Sequence, residues 1–311
     1  MPRKKINLAV VFYGHKKQSL VNKKQFEDLK NLLADFRLTK YDFGKGGHIS
    51  LLRDFKKRKI DIVLKNSYGR GNEADVESFL ELHKIPYLGS DARSTFVGTN
   101  KLLSKFIFRL RGLPVAKDIF VDSFLWKHQE SDILRKVDKH LGYPCIIKDV
   151  VGTDSRGIFI ARGKSSLTSI LNGNVRKYTG FLIEEFIEDC QETTCLVVGN
   201  ERPKAYEPVG FDVGSRGILS GKIKDNHTIE LEIPAKLPAK IIGKIKETAE
   251  KAHLSLRCRT FSRSDILVKR GKLYLLEVDV HPGFRATSAS LVSARYEGES
   301  ANDFFKKNIK L

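Results

Sequence analysis

The sequence has no long apolar segment and few cysteines. None of its apolar runs approaches the ~18 residues that a membrane-spanning helix requires, so we expect no membrane partner. The four cysteines, Cys145, Cys190, Cys195 and Cys258, include no CxxC pair. This excludes a zinc knuckle and a dithiol redox motif. Reduced thiols are typical of the cytoplasm, and we expect a cytoplasmic protein.

The chain also lacks a basic tail and any recognisable nucleic-acid-binding motif, although its net charge is +19. An excess of this size can mark a nucleic-acid binder. The lysines are spread along the chain, however, so we do not expect nucleic acid as the partner. A basic surface that attracts anionic ligands such as nucleotides is the prediction. With 311 residues, of which 41% are hydrophobic, the chain is long enough for about two globular domains.

The first third of the chain alternates strand-like and helical segments. Residues 6–13 and 60–64 are apolar runs typical of strands. Apolar residues at helical spacing between 26 and 38 predict a helix that ends near residue 38, and a second helix is predicted over 73–83. This alternation predicts a small parallel α/β domain.

The remainder has the composition of an α+β protein. Short strand-like runs dominate its middle part, and residues 199–237 are loop-rich. Helices are predicted over 100–111, 132–140 and 239–253. The predicted strands cover 118–122, 145–151, 157–161, 181–187 and 193–198.

Near the C-terminus, a predicted β-hairpin carries three carboxylates. Glu277 and Asp279 are two residues apart, so on a strand they share a face. The face of Asp265 depends on the turn. A two-residue loop at Arg270-Gly271 would place Asp265 on the opposite face, whereas a three-residue loop over 269–271 aligns all three. We expect the three-residue loop.

Three like charges on one face repel each other unless a cation lies between them. Oxygen ligands suit magnesium, which usually arrives with nucleotide phosphates. The hairpin therefore predicts a metal-phosphate site, with Arg263 beside it. The alternative is a solvated hairpin with a charged outer face.

A glycine loop over 152–157, GTDSRG, lies between two strand-like runs. Its glycines would let backbone N–H groups approach a phosphate closely, and an ordinary glycine turn is the alternative. Lys148, inside the preceding apolar strand, favours the phosphate interpretation because a lysine there needs an anionic partner. In the segment FLIEEFIEDCQE, glutamates at a strand end could accept hydrogen bonds from adenine and ribose, or form a solvated edge.

Together Lys101, Lys148, the glycine loop, EEFI and EVDVHPGF resemble the ATP-grasp superfamily and, within it, the D-alanine–D-alanine ligases. The order of the segments follows that family from about residue 60 to the end. The resemblance implies the ATP-grasp fold in three parts. These are an N-terminal parallel α/β domain over 1–98, a central α+β subdomain with a phosphate flap over 99–184, and a C-terminal α+β subdomain with the metal site over 185–311.

The resemblance also implies roles for matching residues. The nucleotide would be bound by Lys101, Lys148, the flap residues Gly152, Thr153, Asp154 and Gly157, the adenine-side residues Glu184, Glu185 and Ile187, Glu192 at the ribose, and Lys222. Two magnesium ions, which manganese could replace, would be held by Asp265, Glu277 and Asp279. The catalytic set would be Arg263, the Gly283 N–H and Ser155, and the substrates would meet Ser67 and Ser288.

The implied function is that of an ATP-dependent carboxylate–amine ligase acting through an acylphosphate, as in peptidoglycan biosynthesis, on amino-acid-like substrates and as a homodimer. The substrate side departs from the family. Residues 15–19 contain no acid where the family has a glutamate, and Ser67 replaces a histidine. A tyrosine-lysine-tyrosine segment is also missing, which leaves Arg216 or Lys222 as its substitute. Three alternatives stay open: a ligase for a different amino acid or hydroxy acid, a catalytically impaired regulatory homologue, and a nucleic-acid binder.

Overall fold

The computed structural model of the chain describes residues 5–13, 19–66, 73–152, 157–212 and 230–309. Within these ranges the strands form three sheets, one parallel and two antiparallel. No helix of the described ranges is long and apolar enough to cross a bilayer.

The N-terminal sheet is parallel, with the strand order β2-β1-β3-β4, as the alternation of strands and helices predicts. The helix expected to reach residue 38 ends at Leu32, and Phe36 opens the second strand. The apolar spacing of Phe36 suits a helix, but its pairing opposite Ile6 decides for the strand. The elements are β1 (Ile6–Phe12), α1 (Ser19–Leu32), β2 (Phe36–Asp42), α2 (Gly47–Lys56), β3 (Ile62–Lys65), α3 (Glu73–Leu82), β4 (Tyr87–Leu88) and α4 (Ala92–Thr99).

The second sheet is antiparallel, with the order β5-β8-β6-β7. Two helices cover one face and bury a core that includes Trp126, Ile147 and Phe181. A further helix, α5, precedes this sheet. The elements are α5 (Lys101–Leu110), β5 (Asp118–Val121), α6 (Ser123–His140), β6 (Cys145–Asp149), β7 (Ile158–Ala161), α7 (Lys164–Asn174) and β8 (Phe181–Glu185).

The third sheet has the order β12-β11-β9-β13-β14, with β10 added to β9. Its long central strands carry the candidate site. The elements are β9 (Gln191–Val198), β10 (Lys204–Ala205), β11 (Val209–Asp212), β12 (Glu230–Glu232), α8 (Ala239–Ser255), β13 (Phe261–Lys269), β14 (Lys272–Asp279), α9 (Ala289–Tyr296) and α10 (Ala301–Asn308).

Two hydrophobic cores join segments that are distant in sequence. Phe12 of β1 belongs to one core with Phe261 of β13 and Phe304 of α10, so the N-terminal sheet packs on the C-terminal elements. Phe108 of α5 lies in the core beneath the third sheet, beside residues of α8 such as Ala249. Helix α5, which begins the predicted central subdomain, therefore packs on the C-terminal core. The boundaries 98/99 and 184/185 stay predictions.

The turn of the carboxylate hairpin differs in length from the predicted turn. Lys269 pairs with Lys272, so the loop has two residues, Arg270 and Gly271, at φ 49° and 77°. The three-residue loop was wrong. A β-bulge restores the alignment: the register shifts between Asp265 and Ile266, which leaves Leu276 as the extra residue and puts Asp265 opposite Glu277.

The turn allows a matched test. Gly271→Ala places a Cβ at positive φ and is expected to lower the free energy of unfolding by about 1 kcal/mol. Gly243→Ala, in the exposed interior of α8, meets no heavy atom within 4 Å and is expected to raise the free energy of unfolding by about 0.5–1 kcal/mol. Urea denaturation measures both changes, and shifts of equal sign would contradict the assigned turn.

Candidate active site

The three carboxylates share one face of the hairpin. Asp265 pairs with Glu277 and Arg263 with Asp279, and Arg263 and Asp265 are two apart on β13. Cross-strand partners and alternate residues point to the same side of a sheet. The predicted grouping of one arginine with three carboxylates on a common face is therefore present.

Arg263 neutralises two of these carboxylates. Its Nε lies 3.1 Å from Asp265 Oδ1 and its Nη2 3.2 Å from Asp265 Oδ2. The same Nη2 lies 3.5 Å from Asp279 Oδ2. The Thr194 hydroxyl, on the neighbouring strand β9, donates to Asp265 Oδ1 at 2.6 Å. Thr194 thus helps to hold Asp265 in place.

The electrostatics of Asp279 favour a cation at this face. Burial raises the pKa of Asp279, and the charges of Asp265 and Glu277 raise it further, against Arg263 and the His281 amide. A divalent ion would relieve the same repulsion, and the oxygen donors suit magnesium. Among the described residues no three acidic, histidine or cysteine side chains lie close enough to hold an ion together. The carboxylate oxygens suit a magnesium ion. In this structure, cationic side chains contact those oxygens.

Lys101 is the cation on Glu277. As the first residue of α5, after the N-cap Asn100, it extends its Nζ to within 3.2 Å of Glu277 Oε2. Its Nζ also donates to the carbonyl of Gly152 at 2.6 Å. Lys101 therefore links the metal face to the start of the glycine loop.

Lys148 has the anionic partner that its position predicts. Its Nζ lies 2.8 Å from Glu184 Oε2, and Lys105 of α5 lies 2.7 Å from Glu184 Oε1. All three side chains are buried. Burial by itself raises the pKa of Glu184, but the two lysines outweigh it and lower the pKa to about 2. Burial lowers the pKa of Lys105 to about 8, partly offset by Glu184.

The residues predicted to lie beside adenine contact other parts of the chain in the structure. Both oxygens of Glu184 are engaged by lysines, so Glu184 is a counter-ion of Lys148 and Lys105. Glu185 Oε1 accepts from the Lys117 amide at 2.8 Å, which joins β8 to the chain before β5. The carbonyl of Ile187 accepts from the Cys190 thiol at 3.1 Å. Glu192 acts on the buried lysine, because its charge helps to raise the pKa of Lys148.

Some of the remaining predicted residues lie in the described ranges, and others do not. Gly157 has φ 71°, and a Cβ there would lie 2.7 Å from the Asp149 Cβ, so the end of the loop requires glycine. Ser288 is the N-cap of α9 and accepts from the Leu291 amide at 3.4 Å, at a helix end that favours anions. Gly283 precedes that helix on the chain after β14. Predictions for Ser67, Thr153, Asp154, Ser155 and Lys222 lie outside the described residues.

Comparison with known proteins decides the family. A family model described as D-ala D-ala ligase C-terminus matches residues 107–310, more than half of the chain. The D-alanine–D-alanine ligase of Acetivibrio thermocellus is 30% identical over 260 residues, which cover 82% of this chain and 69% of that protein. The chain belongs to the D-alanine–D-alanine ligase family.

Other family members extend the match over the whole ligase. The D-alanine–D-alanine ligase of Syntrophobacter fumaroxidans is 29% identical and covers 100% of this chain and 99% of its own. The Bacillus anthracis ligase complexed with ATP has a TM-score of 0.80 at 22% identity, covering 98% and 96% of the two chains. The VanG D-Ala:D-Ser ligase from Enterococcus faecalis has a TM-score of 0.80 at 20% identity, covering 99% of each chain.

The predicted ATP-grasp fold and ligase class are confirmed. As a family member the chain is an ATP-dependent ligase that forms a carbon–nitrogen bond. The structural likeness, at these low identities, supports the fold.

Two supporting residues of the ligase were missed from the sequence. Lys105 lies four residues after Lys101, and its burial next to Phe108 places it on the inner face of α5. That spacing could have indicated a second buried cation. Thr194 gave no signal, because its contact with Asp265 joins residues 71 apart in sequence.

Glu184 is expected to stabilise the fold through its two lysines. Glu184→Gln removes the charge and leaves both cations buried, so the free energy of unfolding should fall by about 3–5 kcal/mol, as measured by chemical denaturation. Asp132→Asn is the matched control, because Asp132 also faces two cations, Arg135 and Lys136, but on the surface. We expect little change from that control.

The pH dependence gives a second readout. The Glu184 carboxyl has a lower pKa in the folded chain, about 2, than its ordinary value of 4.5. The contribution of the Glu184 charge to the free energy of unfolding is complete above pH 4.5. It is lost as the pH falls toward 2, because the carboxyl of the unfolded chain takes up its proton first. The Glu184→Gln variant should lose less stability over this window. An acid limb identical to that of the wild type would contradict the assignment.

Proposed function

We propose that the chain activates a carboxylate with ATP and couples it to an amine. The observation that carries this proposal is the convergence of Arg263 and three carboxylates with the buried lysine Lys148 and with Lys101. In outline, a substrate carboxylate oxygen attacks the γ-phosphorus and ADP leaves. An amine then attacks the acylphosphate carbon, and phosphate leaves with the bonding electrons of the C–O bond.

Two lysines are proposed to bind the phosphates of ATP. A carboxylate that approaches the γ-phosphate meets the repulsion of like charges, which cationic side chains relieve. We propose that Lys101 and Lys148 bind the ATP phosphates and that Glu192 faces the ribose. Glu184 would keep Lys148 charged and oriented, since Glu184, together with Glu277 and Glu192, raises the pKa of Lys148 against the effect of burial.

The hairpin would hold two magnesium ions through Asp265, Glu277 and Asp279. When bound, the ions would neutralise charge on the phosphates. Glu277, which contacts Lys101, would be one of the residues that hold an ion, and Lys101 would bind phosphate. Arg263 and the Gly283 N–H would stabilise the oxyanion formed during acyl transfer, and the N-cap Ser288 would meet the carboxylate of the second substrate.

The substrates are proposed to be amino-acid-like molecules, as the names of the relatives suggest, with peptidoglycan biosynthesis as the setting and the cytoplasm as the location. The altered residues at 15–19 and 67 favour an acyl substrate other than D-alanine, including hydroxy acids. The division into 1–98, 99–184 and 185–311 is proposed on the same resemblance.

The catalytic proposal is tested by phosphate release from ATP. Purified protein with magnesium and ATP should release phosphate when it receives the right members of a panel of D- and L-amino acids and hydroxy acids. Arg263→Gln should lower the rate by about 100- to 1,000-fold, because it removes an oxyanion donor. Arg135→Gln, on the exposed face of α6, serves as the control and should leave the rate unchanged.

Failure of the whole panel would contradict the ligase mechanism. Nucleotide binding without turnover would instead support the regulatory alternative. Binding to nucleic acid that falls steeply with salt would support the third alternative.

We further propose a homodimer, the assembly that the family resemblance implies. Leu103, Phe106 and Leu110 are exposed at helical spacing along α5 and form an apolar face that a second copy could cover. Sedimentation velocity should show a dimer that Phe106→Glu converts to a monomer. A wild-type monomer at all concentrations would overturn the proposal.

A further inference from the structure

Two charged residues and a histidine are buried where the N-terminal sheet meets the end of β14. Lys65 is the last residue of β3, Glu77 lies on α3, and His281 follows β14 by two residues. Their side chains are 3%, 0% and 8% exposed. The parallel strands of β3 and β4 end here, at the edge of the sheet where ligands of α/β proteins bind. None of these residues has a role in the chemistry proposed above.

The contacts form one continuous network. Lys65 Nζ lies 2.9 Å from Glu77 Oε1 and donates to Oε2 at 3.1 Å. His281 Nε2 lies 2.9 Å from Glu77 Oε1 and 2.9 Å from the Thr95 hydroxyl of α4. Glu77 thus connects a strand of the N-terminal domain to the histidine of the C-terminal segment.

The N-terminal domain is shaped to receive that segment. A Cβ on Gly89 would lie 2.9 Å from the His281 ring, and a Cβ on Gly98 would lie 2.5 Å from Val280 Cγ1. Both glycines therefore leave the space that Val280 and His281 fill. The backbone amide of His281 in turn donates to Asp279 Oδ1 at 3.0 Å. The path from Glu77 ends on a carboxylate of the proposed metal site.

Stability alone does not explain this network. A buried ion pair is often replaceable by apolar residues without loss, because desolvation consumes the Coulombic gain. What this network adds is a fixed position, because the Nε2 atom of His281 lies 2.9 Å from both Glu77 Oε1 and the Thr95 hydroxyl. A merely packed interface would leave the segment 279–283 free to shift against the N-terminal domain.

We propose that Glu77 and His281 are positioning residues that set the Asp279 carboxylate and the Gly283 N–H relative to the N-terminal domain. The inference rests on the proposed function, because it assigns these two groups to the metal and to the oxyanion. It makes the N-terminal domain part of the metal site without contributing a ligand. Residues that hold a metal ligand in place are typically worth about 10- to 100-fold in metal affinity.

The first test needs neither metal nor substrate. In hydrogen exchange of the free protein, Glu77→Gln should make the amides within 279–284 exchange about tenfold faster, because a neutral amide replaces the buried carboxylate that lies 2.9 Å from the His281 ring. The amides of 264–268 should not change. His253→Gln is the matched control, since His253 is a buried histidine whose hydrogen bonds go to Ser262 and Gly199 and not to Glu77 or His281. It should leave 279–284 unchanged.

The second test uses ADP and magnesium as probes. In calorimetric titrations well below the melting temperature, Glu77→Gln should raise the magnesium concentration for half-maximal ADP binding by about tenfold, while His253→Gln should not. In an Asp279→Asn background the same change should add less than about threefold, because the path runs through Asp279. If Glu77→Gln does not fold, Thr95→Val removes only the hydroxyl partner of His281 and should shift both readouts in the same direction.

The outcomes separate the two proposals. Unchanged exchange over 279–284 and an unchanged magnesium requirement, in Glu77→Gln or in its substitute Thr95→Val, would overturn the positioning role and leave the proposed function standing. Additive effects of Glu77→Gln and Asp279→Asn would overturn it as well. ADP binding that is indifferent to magnesium in the wild type would overturn the metal site and, with it, this inference.

Discussion

Strands β13 and β14 pair in two registers, and the step between them at Leu276 brings Asp265 opposite Glu277. The turn at Arg270 and Gly271 sets one register, and without the extra residue every side chain beyond it would point to the other face. The arrangement of Arg263 and its carboxylates depends on that step. A local irregularity in the backbone thus decides which charges meet, and the rest of the site is built around it.

The charges of the site balance in pairs. Arg263 pairs with Asp265, and Lys101 pairs with Glu277. Glu184 pairs with both Lys148 and Lys105. A buried charge is costly alone, and each of these lysines has a carboxylate beside it. The pKa of Asp279 is raised, which indicates that the negative charge of this carboxylate is the least well compensated of the site. That is where a divalent cation would contribute most.

The nucleotide and substrate sides of the chain differ in how closely they follow the family. The lysines, glycines and carboxylates that we propose for ATP chemistry follow the family resemblance, and the fold agrees with that of a solved ligase at a TM-score of 0.80. Altered residues stand instead at 15–19 and 67, positions that the resemblance assigns to the amino-acid substrate. Chemistry on ATP constrains these charges tightly, whereas the shape of the acyl substrate can change with a few side chains.

The sequence alone determined what depends on short spacing: the parallel first domain, most helices and strands of the later parts, and the shared face of Glu277 and Asp279. These follow from the periods of helices and strands, which act over a few residues. Tertiary structure decided the end of α1 at Leu32, the bulge at Leu276 and the partners of Glu184. It also joined Glu77 to His281, more than 200 residues away, because such contacts arise from packing of distant segments and leave no local pattern.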